Sequence, residues 1–334
     1  MGKEGKAIKI LFICNSTEGT LKQRVIMPAK YLHADVAHEI NVMSMQAKIM
    51  INIFGTMKAT IRDMNYYDII ILQFAWHDDL VFLIGRLNKI GIKVILDFDD
   101  DYFHKNPYYP IDYSRGRMDN LIKSISMADM ITVTTESLAK TYSKYNSNVK
   151  ILPNMIDISE FKPKANDGKV VGWYSSGIRF AEFRDIVEGW IPENVCLYLA
   201  GSTVFNNFKH KNKIVVDRFN PVDTPKVLAM IDIGLIPLKL CRFNDGKSDL
   251  KGLEYGAMNI PFIASPTEPY KKLIKHGING FLVKHSRDWN KYIKLLIVDD
   301  KLRTNMGNEA RKVSESRDIK LNINLWEKVY NQLK

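Results

Sequence analysis

The feature that most constrains the fold of this chain is a repeated alternation of short apolar runs with helical patterns. Buried strands are predicted at residues 8–13, 67–74 and 91–98, because β-branched runs bounded by polar residues suit strands covered on both faces. A further strand is predicted at residues 40–45 and a helix at residues 21–33. Alternation of this kind indicates parallel strands joined by right-handed crossovers. The sequence therefore predicts an α/β fold with doubly wound sheets.

A polar segment interrupts the alternation, which then restarts in the second half of the chain. The segment contains proline and glycine and few apolar residues, as linkers do. With 334 residues, 46% of them hydrophobic, the chain can form two cores. We predict an N-terminal domain at residues 1–155, a linker at 156–168, a C-terminal domain at 169–315 and a helix at 316–334 that packs back on the N-terminal domain. Because ligands of such sheets bind at the carboxyl ends of strands, we expect the active site in a cleft between the domains.

Composition restricts the compartment and the partners of the protein. The three cysteines, Cys14, Cys196 and Cys241, are far apart in the sequence, as is typical of a reducing compartment. The first apolar run is too short for a signal peptide, and no segment reaches the length of a membrane span, so we predict a cytoplasmic protein. The net charge of +11 favours anionic partners, namely nucleotide phosphates, DNA, or peripheral contact with an anionic membrane. The basic residues are dispersed and no DNA-recognition motif is visible, so a solvated basic surface is the simpler interpretation.

A polar loop, a short helix and a buried strand at residues 247–265 form the most informative local pattern. Lys247, Ser248, Asp249 and Lys251 lie around the start of the helix. Free backbone N–H groups and the positive end of the helix dipole make such a helix start a phosphate-binding site. Glu254 lies one to two turns further on, where a carboxylate can accept hydrogen bonds from sugar hydroxyls. The pattern therefore indicates a nucleotide-linked ligand.

Several blocks of sequence occur in the order found in GT-B glycosyltransferases. The chain resembles in particular the retaining family 4 (group 1) enzymes, which use nucleotide-sugar donors. The blocks are residues 128–138, 152–157 with 161–163, 171–175, 229–238 and 247–265. The resemblance implies two Rossmann-like domains facing across a cleft, with a nucleoside-diphosphate sugar bound by the second domain and the acceptor by the first. It implies no obligatory metal or cofactor.

The resemblance also implies which residues bind the donor. In this family the donor helix starts with two glutamates eight residues apart; Glu254 matches the second, implied to bind the nucleotide ribose, and Gly246 stands where the first is expected. Asp245 or Asp249 is the candidate replacement for the missing carboxylate. Positive side chains would neutralise the charge of the leaving diphosphate. The implied donor-binding residues are Ser175, Ser176, Arg179, Lys247, Ser248, Asp249, Leu250, Lys251 and Glu254, with Lys247 also a catalytic candidate. An ordinary surface arginine is the alternative for Arg179.

An acidic run at residues 97–101 ends one of the predicted strands of the first domain. Asp99 and Asp100 are candidates for acid–base catalysis, and Asp97 is a candidate for the acceptor side. A divalent metal held by these carboxylates is an alternative, as is a purely structural N-cap for one of them.

Residues that follow the first strands of the N-terminal domain supply the other candidates. His77, after the strand at residues 67–74, is a further catalytic candidate, and Trp76 beside it is assigned to the acceptor side. Arg24, one turn into the first helix, is an acceptor-side candidate that would contact an anionic group. Surface roles are the alternatives for His77 and Arg24.

These features predict a hexosyltransferase that moves a sugar from a nucleoside-diphosphate sugar to an acceptor, with retention by resemblance. No nucleophilic carboxylate is identifiable, so a front-face displacement fits better than a double displacement. The expected acceptor is an envelope glycan or a lipid-linked sugar. A DNA-modifying glycosyltransferase that acts on a hydroxylated base is one alternative, which the positive net charge favours. A non-catalytic nucleotide-sugar-binding protein is the other, because Gly246 lacks the expected carboxylate.

Overall fold

Two parallel sheets organise the chain, and each belongs to a separate unit. The computed structural model describes residues 8–14, 21–38, 40–43, 46–52, 56–60, 66–73, 80–109, 114–163 and 165–334. The first unit consists of Met1–Asp100, Asp112–Pro153 and Ile319–Lys334, and the second of Asp101–Ile111 and Asn154–Asp318. The α/β fold predicted from the sequence is confirmed.

The strands of the first unit form one parallel and one antiparallel sheet. They are β1 (Ile10–Cys14), β2 (Asp35–His38), β3 (Ile40–Met43), β4 (Gln46–Asn52), β5 (Thr56–Thr60), β6 (Ile69–Gln73), β7 (Lys93–Phe98), β8 (Met130–Val133) and β9 (Val149–Ile151). The parallel sheet has the order β2-β1-β6-β7-β8-β9, and β3, β4 and β5 pair in antiparallel fashion. Every residue of β1 and β6 is buried, as expected for central strands of a sheet covered on both faces.

Among the described residues of the first unit, four helices connect the parallel strands. They are α1 (Met27–Leu32), α2 (Leu80–Lys89), α3 (Arg115–Met127) and α4 (Glu136–Tyr142). A π-helical turn at Lys22–Ile26 leads directly into α1. Helix α4 begins after Thr135, whose hydroxyl accepts a hydrogen bond from the N–H of Leu138 and so satisfies one of the free amides of the first turn.

The second unit repeats the parallel architecture. Its strands are β10 (Val170–Tyr174), β11 (Cys196–Ala200), β12 (Lys213–Val216), β13 (Ile233–Ile236), β14 (Phe262–Ala264) and β15 (Phe281–Leu282), in the order β12-β11-β10-β13-β14-β15. Its helices are α5 (Phe180–Val187), α6 (Thr224–Leu228), α7 (Arg242–Asp245), α8 (Leu250–Ala257), α9 (Glu268–Leu273), α10 (Ser286–Val298) and α11 (Asp300–Ser316). Side chains alternate across β10, so that Trp173 packs with Phe183 on one face while Tyr174 belongs to the core cluster that contains Tyr255 of α8. This alternation directs Tyr174 toward α8.

The last helix, α12 (Ile319–Tyr330), follows the second unit in sequence but belongs to the first. It packs against α1, and Trp326 is fully buried in the core around β1. The ring of Tyr330 makes an edge contact with Phe12 of β1, with centroids 6.3 Å apart. Within the described residues, none of the helices combines the length and the apolar character that a membrane span requires.

Candidate functional site

The loop at residues 246–249 and the helix α8 that follows it form the centre of the candidate site. Helix α8 buries Leu253 and Tyr255 completely. Gly256 allows a close approach to α11, because a β-carbon at this position would lie only 2.5 Å from the carbonyl oxygen of Ala310. This packing fixes the direction of α8 and therefore the backbone that carries its first turn and Glu254.

Glu254 lies in a polar cluster with Tyr174 and Lys251. The hydroxyl of Tyr174, at the end of β10, donates a hydrogen bond to the Glu254 carboxylate, and Glu254 is 5% exposed. One turn earlier in α8, the ammonium of Lys251 donates to the carbonyl oxygen of Tyr174 at 2.7 Å and lies 3.7 Å from the centroid of its ring. Burial, together with the charge of Glu254, raises the pKa of Tyr174 well above its ordinary value, so this hydroxyl stays a donor at neutral pH.

Three positive side chains converge near the start of α8. The ammonium of Lys247 lies 4.9 Å from the ring centroid of Phe243 and 5.5 Å from that of Tyr109. The guanidinium of Arg179 lies 5.5 Å and 5.0 Å from the same two centroids. Burial lowers the pKa of Lys251 to about 8; the charge of Glu254 opposes this change, and the charges of Arg179 and Lys247 add to it. Such a concentration of positive charge suits an anionic ligand with several phosphate oxygens.

Glu182 of α5 fixes part of this positive cluster. One of its carboxylate oxygens accepts a hydrogen bond from Arg179 at 2.9 Å. The other accepts from the backbone N–H of Lys239 at 2.8 Å and from the side-chain amide of Asn244 at 2.6 Å. The side chains of Arg179 and Glu182 are only 12% and 1% exposed. Arg179 is therefore a fixed, half-buried cation rather than an ordinary surface side chain.

Arg317 and Asn154 fix the loop before α8. Two nitrogens of the Arg317 guanidinium donate to the carboxylate of Asp249 at 3.1 and 3.2 Å, and one of them also donates to the carbonyl oxygen of Asn154 at 2.6 Å. Asn154 is fully buried, and its amide donates to the hydroxyl of Ser248 at 3.0 Å. The ion pair with Arg317 indicates that the carboxylate of Asp249 positions this loop.

The loop after β10 carries three of the residues assigned to the donor. The φ angle of Gly201, after β11, is 122°, and a β-carbon there would overlap the carbonyl oxygen of Ser175. Ser176 is exposed and precedes the 3₁₀ turn Gly177–Arg179. Ser175, Ser176 and Arg179 thus occupy a tightly packed loop at the carboxyl end of the strand that also supplies Tyr174.

Arg24 and Asp97, both assigned to the acceptor side from the sequence, form a buried ion pair inside the first unit. The guanidinium donates to both oxygens of Asp97, with an Nε–Oδ2 distance of 2.9 Å, and lies 4.8 Å from the ring of Trp326. The hydroxyl of Thr132 also donates to Asp97, at 2.6 Å. Arg24 is 0% and Asp97 2% exposed. This burial indicates a structural role for the pair, and contact with an acceptor stays a prediction for both residues.

The other aspartates of the acidic run have different surroundings. Asp100 is buried, and its carbonyl oxygen accepts a hydrogen bond from the hydroxyl of Tyr142 at 3.0 Å. Asp101 belongs to the second unit, where its carboxylate accepts from two backbone N–H groups and lies 2.7 Å from Nδ1 of His104. In the part of the chain that the structure describes, no group of three or more His, Cys, Asp or Glu residues is arranged to hold a metal ion. Catalysis by Asp99 and Asp100 stays a prediction.

His77 and Trp76 lie outside the described residues, so their predicted roles stay predictions as well. Several residues that shape the positive cluster were not among those predicted from the sequence. Glu182 follows Arg179 by three residues, a helical spacing typical of ion pairs that gave a usable signal. Tyr109 and Phe243 meet only through the fold, and no local pattern indicates their contact.

Residues 249–313 match the family described as Glycosyl transferases group 1. The matched segment begins at the loop before α8 and contains Glu254 and Lys251. The comparison with curated protein sequences returned no match.

Several solved structures share the fold over nearly the whole chain. Anabaena Alr3699/HepE in complex with UDP and glucose has a TM-score of 0.70 and 15% identity, over 98% of this chain and 99% of that one. Sucrose-phosphate synthase from Thermosynechococcus elongatus has a TM-score of 0.68 and 14% identity, over 98% and 99%. An alpha-glucosyltransferase (AGT) in complex with UDP has a TM-score of 0.63 and 12% identity, over 97% and 100%. At these identities the likeness shows the GT-B fold, and the match to Glycosyl transferases group 1 covers residues 249–313 of the chain.

Proposed function

We propose that this chain transfers a hexose from a UDP-sugar to a hydroxyl group of an acceptor, with retention at the anomeric carbon. The observation that carries the proposal is the convergence of Lys247, Arg179 and Lys251 near the start of α8, next to Glu254. The three cations suit the anionic diphosphate of a nucleoside-diphosphate sugar. Glu254 suits the hydroxyl groups of its ribose. The complexes of Anabaena Alr3699/HepE contain UDP-glucose or UDP and glucose, which supports UDP-glucose as the first donor to test.

Each group has a role that follows from its charge. The bond to the sugar breaks toward the diphosphate, so negative charge grows on the leaving group in the transition state. Lys247, Arg179 and Lys251 stabilise that charge, and the N–H groups at the start of α8 add the positive end of its dipole. A carboxylate has about four lone-pair sites, so Glu254 can accept hydrogen bonds from the ribose while it remains bonded to Tyr174.

Retention is proposed to occur by front-face displacement. The acceptor oxygen forms a bond to the anomeric carbon on the face where the bond to the β-phosphate oxygen breaks, and the leaving phosphate takes the acceptor proton. Asp249, at the start of α8, is engaged by two nitrogens of Arg317. Because Arg317 holds the Asp249 carboxylate, front-face displacement is favoured over nucleophilic attack by this carboxylate.

The test is release of UDP from UDP-glucose by the wild type and by two variants, Lys247→Ala and Glu254→Ala. Loss of a hydrogen bond to a charged group costs about 1.5–3 kcal/mol, so kcat/KM is expected to fall roughly 10- to 100-fold in each variant. Lys312→Ala is the matched control, because this exposed lysine of α11 pairs only with Glu309 among the ion pairs described. Wild-type turnover in both site variants would contradict the assignment. Binding of UDP-glucose without any turnover by the wild type would instead indicate a nucleotide-sugar-binding protein.

We propose a glycan or a lipid-linked sugar as the acceptor. The net charge of +11 favours one rival, DNA that carries a hydroxylated base. Transfer of labelled glucose to a panel of glycans and lipid-linked sugars, and in parallel to duplex DNA with 5-hydroxymethylcytosine, separates the two. Transfer to DNA that weakens steeply with added salt would replace our proposal by the rival.

A further inference from the structure

The segment at residues 101–109 is part of the second unit, although it follows β7 of the first unit in sequence. Side-chain hydrogen bonds to α5 and α7 attach it there. The amide of Asn106 donates to Asn244 at 3.3 Å, and the hydroxyl of Tyr108 donates to Asp185 at 3.1 Å. The turn of the segment is closed by Asp101, which is 1% exposed and bonded to His104. The segment therefore has anchors of its own on α5 and α7.

Tyr109 makes a different kind of contact from these anchors. Its ring lies 5.4 Å from the ring of Phe243, and the cations of Arg179 and Lys247 lie within 5.0 and 5.5 Å of its centroid. Phe243 is fully buried, whereas Tyr109 is half-buried. Two like charges thus share two aromatic rings, one supplied by α7 and the other by the segment at residues 101–109.

Arg179 and Lys247 carry like charges beside the same two rings, and Arg179 forms an ion pair with Glu182. The negative face of an aromatic ring attracts a cation without neutralising it, so the cation keeps its charge for a ligand. Glu182 fixes Arg179 from one side, while the rings of Tyr109 and Phe243 limit the positions open to Lys247. A carboxylate in the place of Tyr109 would cancel the charge; an aromatic ring does not.

We propose that Tyr109 is a positioning residue, which holds Lys247 and Arg179 in the arrangement that receives the diphosphate of the donor. This inference rests on the proposed function, because it assumes that the two cations bind phosphate. It assigns a donor-site role to a stretch of chain that lies about 70 residues before Arg179 and is placed beside it only by the fold.

The test compares the affinities of UDP and uridine for the wild type and for variants at residue 109. In Tyr109→Leu, which keeps apolar volume but lacks the π face, the affinity for UDP is expected to fall about 5- to 20-fold while that for uridine stays the same. Tyr109→Phe keeps the ring and should bind both ligands as the wild type does. Tyr108→Phe is the matched control, because it removes an anchor of the same segment without altering the cation contacts.

A double-mutant cycle with Lys247→Met gives a readout that a merely structural role would not produce. The loss caused by Tyr109→Leu should shrink when Lys247 is already absent. Equal losses for UDP and uridine, or an undiminished loss in the Lys247→Met background, would overturn the inference. If the wild type binds no nucleoside diphosphate, the proposed function fails first; if it binds UDP and Tyr109→Leu binds UDP equally well, only the inference about Tyr109 fails.

Discussion

At the residue scale, Lys251 carries its charge in surroundings that disfavour it. Burial lowers the pKa of its ammonium to about 8, from an ordinary value of 10.5. The nearby charge of Glu254 favours the protonated form, whereas Arg179 and Lys247 disfavour it. A bound diphosphate would add negative charge and shift the balance toward protonation. The protonation state of Lys251 and the binding of an anionic donor should therefore be coupled.

We expect the affinity for UDP to fall as the pH rises through about 8, because Lys251 loses its charge there. Between pH 7 and 9.5 the phosphates of UDP are already ionised, since such groups have a second pKa near 6. Isothermal titration of UDP across this range measures the effect, with Lys251→Met as the comparison. The variant should bind UDP weakly at all of these pH values, and an unchanged pH dependence in the variant would contradict the role of Lys251.

The lowered pKa of Lys251 affects the free energy of unfolding in the opposite direction from UDP affinity. The unfolded chain holds the Lys251 proton up to its ordinary value of 10.5, whereas the folded chain releases it near 8. Between these values the unfolded state binds more protons, so this group makes the free energy of unfolding rise with pH. Ligand binding and stability should therefore change in opposite directions above pH 8.

Glu254, Lys247 and Lys251 could be assigned from the sequence because they lie within eight residues, where helix geometry brings them together. The ion pair of Glu182 could have been predicted from its helical spacing to Arg179, and the direction of the Tyr174 side chain from the alternation along β10. Tyr109 was not, because its contact with Phe243 joins residues more than 130 positions apart, and only the packed fold brings the two rings together.

At the element scale, the position of α8 depends on its close contact with α11. The hydroxyl of Ser314 donates to the carbonyl oxygen of Leu253 at 2.8 Å, and Ala310 lies against Gly256. Such close approach of two helices leaves no room for a side chain at the point of contact. The contacts of Leu253 and Gly256 with α11 therefore fix the direction of α8 and the position of its first turn.

Gly256→Ala is expected to destabilise the second unit by about 1–3 kcal/mol, because its β-carbon would lie against Ala310 and Ser314 and force the helices apart. Denaturant unfolding measures this loss, and UDP affinity should fall with it as the first turn of α8 shifts. Gly116→Ala in α3 is the control: a β-carbon there meets nothing within 4 Å, and alanine favours the helix. Equal stability of the two variants would contradict the tight packing of α8 on α11.

The elements predicted from sequence were those with their own apolar signal. The strands expected at residues 8–13, 67–74 and 91–98 correspond to β1, β6 and β7, since their runs of β-branched residues need no partner to be recognised. The strand expected at residues 40–45 is β3, which pairs in the antiparallel sheet instead of the parallel one. Strand β2, with the sequence Asp-Val-Ala-His, has no such run, and its hydrogen bonds depend on β1 being present.

At the scale of the whole molecule, the first unit is assembled from separate stretches of sequence. Helix α12 completes its core, with Trp326 beside the ion pair of Arg24 and Asp97. The polar segment at residues 156–168, predicted to be a linker because its composition differs from its surroundings, belongs to the second unit. The place of residues 101–109 in the second unit could not be predicted in this way, because it depends on contacts with α5 and α7 that form only in the folded chain.

Trp326→Ala is expected to destabilise the first unit by about 3–5 kcal/mol, because it leaves a large cavity in a fully buried place. Amide hydrogen exchange of β1 and α1 should become faster, whereas UDP affinity should not change, since the proposed donor site lies in the second unit. Leu321→Ala, at a residue of α12 that is 70% exposed, is the control and should stay within about 0.5 kcal/mol of the wild type. Loss of UDP binding in Trp326→Ala would contradict the proposed assignment of the donor site to residues of the second unit.

The return of α12 to the first unit also affects how the protein is made. At about 5–20 residues per second, roughly 10–35 s pass on the ribosome between the synthesis of β9 and that of Tyr330. During that time β1 and α1 lack the apolar surface of Trp326 and Tyr330, while the second unit can already close its sheet. Chaperones that bind exposed apolar surface should therefore meet the nascent first unit more often than the second.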